Sequence, residues 1–277
     1  MSAPGSLETT LLPGARELLA IHARELPQRD DLCGAFCGAL ALRAAGIENH
    51  AGEPLDQDAV ALAAGSVVSA AREEGVLPRG ESGRRDYRLS LPFVEDSERS
   101  GTTAGGIVDA IAQLSDGRLV AIPFSGPWTA ETLDALFDAA AALPRAAALL
   151  ANFATRHLWG AGASASQLLG QLLDGADEGP PPDWDVGHFA CVLARVRGPG
   201  GVLYAIADTY PSLGSNGVHM QPRARLARAI ERRDMPAGGV IATVAAEDAQ
   251  ALRSGARAAG LREGIWDNGT ITPEMLR

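Results

Sequence analysis

The stretch Cys33–Ala45 reads CGAFCGALALRAA and is apolar nearly all round. A helix with no polar face belongs in the interior, so the rest of the fold has to be built around this one. Asp30 or Asp31, in the polar run just upstream, is placed to cap it. Gly46 ends it, as glycine does when the chain leaves a helix with positive φ.

The periodicities around this helix alternate between those of helix and strand. Residues 14–26 read as an amphipathic helix with Leu18, Leu19, His22 and Leu26 on one side. Residues 56–72 read as another, capped by Asp56 or a near neighbour. Residues 73–102 are polar and loop-like, interrupted by a candidate strand over Tyr87–Val94. Helices are expected over Thr103–Leu114, Trp128–Ala142 and Ser164–Leu173, with short apolar strands at Leu119–Phe124 and Ala147–Phe153. The acidic, Pro-rich run Asp174–Asp185 reads as a surface loop. The clearest hairpin follows it: Val186–Arg197 and Val202–Tyr210 flank the turn Gly198-Pro-Gly-Gly201. Beyond it lie a helix over Pro222–Arg233 with Pro at its first position, a strand at Gly239–Val244, a surface helix over Glu247–Ala259 and an irregular tail from Gly264.

This order predicts a single α+β domain. Residues 14–115 form a helical lobe, 116–245 a sheet-rich and mainly antiparallel lobe, and 246–277 a C-terminal helix and tail. A hydrophobic content of 46% and a charged content of 21% suit one globular core. The net charge of −10 argues against a nucleic-acid partner. The N-terminus lacks the basic and apolar segments of a secretory signal, and no apolar run reaches membrane-spanning length. Three cysteines do not make a disulfide framework. The expected setting is therefore the reducing cytoplasm. No His/Cys cluster has zinc spacing, so no metal and no cofactor is expected.

The chemistry-bearing residues fall in a suggestive order. Cys33 opens the apolar helix, five residues after Gln28. A free thiol is mostly protonated at neutral pH, and a helix N-terminus and a neighbouring imidazolium both favour the nucleophilic thiolate. His188 lies on the first strand of the hairpin and Asp208 on the second, twenty residues later. Strands of about ten residues bring such positions together across the ladder. Asp208 then orients the imidazole as the third member of a triad does. An oxyanion hole needs the cysteine's own N–H and an upstream amide, for which Gln28 is placed. Gly34 lets the backbone and a substrate approach closely.

Gln28 followed by Cys33-Gly34-Ala35-Phe36-Cys37 resembles the opening of the papain-like double-glycine leader peptidases. The segments Gly187-His188-Phe189 and Asp208-Thr-Tyr-Pro211 are similar to those of phytochelatin synthases, another papain-like branch. The resemblance covers residues 26–45 and 186–212. It implies a papain-like fold with Cys33 as nucleophile, His188 as base and acid, Asp208 as orienter and Gln28 as oxyanion donor. There are departures: Gln28 stands one residue closer to the cysteine than in most leader peptidases, and Leu32 replaces their Asp.

Rival assignments exist for each position. Cys37 lies one turn beyond Cys33 on the same face, while Cys191, at odd spacing from His188, reads as core. His22 reads as a packed or surface residue. His157 is placed to line a cleft between the lobes, and His50 and His219 read as loop residues. Asp208 also suits a turn cap before Pro211. The expected activity is a cysteine peptidase that cleaves a peptide or amide bond through a thioester, its partner a peptide or protein such as a natural-product leader. An acyl or peptidyl transferase would use the same residues, and an inactive papain-like binding protein is the non-enzymatic alternative.

Overall fold

A computed structural model describes residues 6–70 and 76–276. The first half carries β1 (Glu8–Leu11), α1 (Ala15–Glu25), α2 (Cys33–Ala44), the two-residue strands β2 (Asn49–His50) and β3 (Glu53–Pro54), and α3 (Gln57–Ala63). The strands β4 (Val68–Ser69) and β5 (Phe93–Val94), α4 (Ala104–Leu114), β6 (Leu119–Ser125), α5 (Ala130–Ala141) and β7 (Ala147–Ala154) follow. The second half adds α6 (Ala165–Asp174), β8 (Gly187–Arg197), β9 (Val202–Ala207), β10 (Val218–Pro222), α7 (Arg223–Glu231), β11 (Gly239–Ala245), α8 (Ala249–Ala258) and β12 (Arg262–Glu263).

Eight strands form one antiparallel sheet in the order β10-β9-β8-β7-β11-β6-β12, with β1 paired to the far half of β8. The fold is α+β. Side chains alternate between the two sheet faces, and each face has its own core. Cys191, Leu150 and Ile241 join the core built with α1 to α4, whereas Val192, Leu149 and Val240 join the core built with α5, α7 and α8. Helix α2 is the centre of the first core. It packs on α1, α3, α4 and strands β7 and β8. Phe36, Leu40 and Leu42 are fully buried there.

The hairpin β8–β9 has the expected turn, closed by Gly198 N–H donating to Gly201 O. One irregularity matters. Val192 pairs Ile206 and Ala194 pairs Ala205, so Leu193 is a bulge. It places Leu193 and Ala194 on the same face, and beyond it Cys191 stands opposite Ala207.

Several expectations are corrected. Helix α1 buries Ala15, Leu18, Ile21 and His22, and Leu19 is exposed, because Ile21 and not Leu19 lines up with Leu18 against the core. Helix α3 is capped by Asp56 as expected but stops at Ala63, since the chain turns at Gly65 (φ 62°) and runs on as β4. The end of the expected 56–72 helix, residues 71–72, lies outside the described residues. Within Tyr87–Val94 only Phe93–Val94 is strand, paired parallel to β4. Pro222 ends β10 and precedes the first turn of α7 instead of occupying it. The tail is anchored: Trp266 is buried in the first core. Strands β1 and β10 had no periodicity long enough to betray them. No helix among the described residues is long and apolar enough to cross a membrane.

Leu40 and Leu62 test the placement of the core. Leu40 is fully buried in α2, whereas Leu62 on α3 is 54% exposed. Leu40→Ala should cost about 2–5 kcal/mol in urea unfolding, and Leu62→Ala no more than about 0.5 kcal/mol. Equal costs would contradict the arrangement.

Candidate active site

Cys33 is the first residue of α2 and is partly exposed. The expected aspartate caps are used elsewhere. Asp31 (φ 66°) accepts from the backbone N–H of Ser69 at 2.7 Å and its hydroxyl at 2.9 Å, and Asp30 accepts from the backbone N–H of Arg84 at 2.8 Å. Leu32 is therefore the cap residue, with no side-chain hydrogen bond, and the first N–H groups of α2 are left for another acceptor. The loop before the cysteine is clamped. Arg29 pairs with Asp58 at 2.5 Å, and Arg84 Nη1 donates to Pro27 O at 2.8 Å. Gly34 permits the close seating of α2 on β8. A Cβ there would stand 2.9 Å from Ile107 Cδ1 and 3.3 Å from Phe189 Cδ2.

His188 and Asp208 meet as expected, both only 2% exposed. His188 Nε2 lies 2.9 Å from Asp208 Oδ1 and 3.3 Å from Thr209 Oγ1, which leaves Nδ1 for the thiol. Cys33 lies close enough to favour the charged form of His188, after Asp208. Asp208 also caps the following turn, accepting the Thr209 N–H at 2.7 Å, so the orienting and capping roles coexist.

His219, expected in a loop, lies on β10 and is buried; its Nε2 is 3.1 Å from Asp208 Oδ2. Gln221 settles its tautomer. Gln221 Oε1 accepts the Trp159 N–H at 2.8 Å, and its Nε2 donates to Trp159 O at 2.8 Å and His219 Nδ1 at 3.0 Å. The proton of His219 is therefore on Nε2 and is donated to Asp208. The alternation of His219 and Gln221 along one strand is the signal that a reading by local composition passes over. His22 is fully buried and donates from Nε2 to the Asp208 carbonyl at 2.5 Å.

Trp184, in the acidic loop, contacts the His188 ring edge-on at 4.8 Å, and Tyr210 stacks on it at 6.4 Å. Phe153 completes the surround at 5.8 Å. The loop carboxylates mostly tie it to the body. Asp177 takes Trp159 Nε1 and Arg225, and Asp183 takes the Ala161 N–H.

Burial disfavours charge on His188, but the Asp208 carboxylate and its hydrogen bond outweigh it and lift the imidazole pKa from 6.5 to about 10. Burial likewise opposes the Asp208 charge, and His188 and then His219 hold its pKa well below the usual carboxylate value. Burial lowers His22, which stays neutral.

The other thiols are enclosed. Cys37 and Cys191 are fully buried, and burial followed by the neighbouring Cys191 pushes the Cys37 pKa well up. His157 pairs with Asp234 at 3.3 Å, and His50 lies in β2. The Gln28 N–H donates to Thr209 O at 2.9 Å, which ties its loop to the Asp208 turn, and its side-chain oxygen is buried without a partner. No group of three or more His, Cys, Asp or Glu among the described residues is arranged to hold a metal ion.

A family model matches residues 12–267. The chain belongs to a family of unknown function, DUF6885. The matched segment contains Gln28, Cys33, His188, Asp208, His219 and Gln221 alike, so the whole constellation lies inside the family's own stretch. No curated protein matches the chain.

Asp208→Asn tests the charge pairing. Because the folded pKa of His188 is raised, its stabilisation is whole below pH 6.5 and is lost as the pH climbs through about 10. Removing the carboxylate should bring the His188 midpoint, followed by NMR of the imidazole, back to about 7 or below. The stability gap between the wild type and this variant should narrow as the pH rises across that window. An unmoved midpoint would show that Asp208 is not the charge partner.

Proposed function

We propose that this chain is a thiol hydrolase with papain-like chemistry, acting on a peptide or amide bond. The observation that carries the reading is the buried His188–Asp208 pair at 2.9 Å, with the least buried of the three cysteines at a helix N-terminus beside it. The α2 helix packed on an antiparallel sheet, with histidine and aspartate on adjacent strands, supports a papain-like fold.

In this mechanism Cys33 Sγ attacks the substrate carbonyl carbon. The oxyanion is met by the Cys33 backbone N–H and the Gln28 amide. His188 gives its proton to the leaving amine as the C–N bond breaks, and a thioester remains. Water then adds to the thioester, its proton passing to His188, and the Cys33 thiolate leaves. Asp208 keeps the imidazole oriented through both steps, and His219 keeps Asp208 in place. An amine in place of water would make the same machinery an acyl transferase.

A fluorogenic peptide library, with and without amine acceptors, tests this. Cys33→Ala should abolish turnover, and His188→Gln should lower it by about 100-fold or more. Products condensed on the amine would assign the transferase. Turnover that survives Cys33→Ala would overturn the thiol reading.

A further inference from the structure

Arg232 follows the last residue of α7 in the left-handed region (φ 45°, ψ 51°), a conformation that is costly for a side-chain-bearing residue. It is only 3% exposed. A guanidinium has five N–H donors and a permanent need for a counter-charge. Among the described residues its side chain has a single acceptor, the Asn152 side-chain oxygen, which takes Nη1 at 2.6 Å. That oxygen is shared with Trp266 Nε1 at 3.2 Å, and Asn152 Nδ2 donates to His188 O at 3.2 Å. Arg232 Nε is buried without a partner. No carboxylate of the described residues forms a salt bridge with it.

The position of this cation is as telling as its lack of partners. Nη2 passes 2.8 Å from where a Cβ on Gly187 would begin, so glycine next to His188 makes room for it. Burial lowers the Arg232 pKa to about 10, and the charge that most supports its protonated form is the Cys33 thiolate, ahead of the Asp234 carboxylate. Buried ions without a partner are strongly disfavoured, and arginine's planar fork matches a carboxylate.

We infer that Arg232 is a substrate-binding residue that receives a carboxylate close to the carbonyl attacked by Cys33. The preferred substrates are thus acyl compounds with a free carboxylate near the scissile bond. The source is either a terminal α-carboxylate or an acidic side chain. Asn152 is the positioning residue that aims the guanidinium, and its bond to the His188 carbonyl ties the anion site to the triad.

This inference rests on the thiol reading above, and the probe separates the two. Iodoacetate and iodoacetamide are isosteric alkylating agents that differ by a charge. Their rates at Cys33 are read by mass spectrometry of the full-length chain. Arg232→Gln should lower the iodoacetate-to-iodoacetamide rate ratio by about tenfold or more, and Arg232→Lys should retain much of it. A ratio unchanged by Arg232→Gln overturns the anion site while leaving the thiol reading intact. Cys33 reacting with neither reagent faster than in urea overturns both. A second measurement needs no variant. N-acetylglycine should protect wild-type Cys33 from iodoacetamide if the site takes an α-carboxylate, and the α-amide of N-acetylaspartate if it takes an acidic side chain. Protection by neither, or equal protection by N-acetylglycinamide, overturns the anion site.

Discussion

A carboxylate almost wholly removed from water needs partners on all sides, and the arrangement around Asp208 is best understood as meeting that need. Its side chain accepts from His188, from His219 and from the Thr209 N–H, and its carbonyl accepts from His22. These donors come from β8, β10, the turn after β9 and α1, so the carboxylate ties together segments far apart in the chain. Removing one partner of such a buried pair typically costs about 3–5 kcal/mol. The same interaction that stabilises the fold fixes the imidazole ring and its charge. Structure and proposed chemistry therefore share one interaction.

The proposed nucleophile depends on a different constraint. Helix α2 has no polar face, so it is held between the sheet and three other helices. Its start is thereby fixed relative to β8, with Gly34 against Phe189 setting the closeness. The clamped loop before it uses Asp30 and Asp31 to grip Arg84 and Ser69 instead of capping the helix. A helix end left uncapped in this way has its dipole and N–H groups directed at the thiol and whatever binds there.

Much of this was legible in the sequence. The buried helix, the hairpin and the triad order follow from unbroken apolarity, a glycine-rich turn and the spacing of rare residue types. His219, Gln221 and Trp184 were not legible, because their roles depend on contacts between separate elements (His219 with Asp208, Gln221 with Trp159, Trp184 with His188 and Tyr210) that no local pattern records. The caps failed for a related reason: Asp31 has the right position to cap, but Ser69, 38 residues on, competes for it successfully. In the sequence Arg232 is one of several arginines in the expected Pro222–Arg233 helix. Only the packing of Gly187 and Asn152 against it shows a buried cation beside the His188 backbone.

The central claim is that Cys33, driven by His188 and Asp208, forms an acyl-enzyme. Pre-steady-state reaction with p-nitrophenyl acetate measures this step directly. The account predicts a burst of nitrophenolate approaching one equivalent per chain, with the acetyl group found on Cys33 after acid quench. A burst that persists in Cys33→Ala, or an acetyl group found on Cys37 or Cys191, would contradict it.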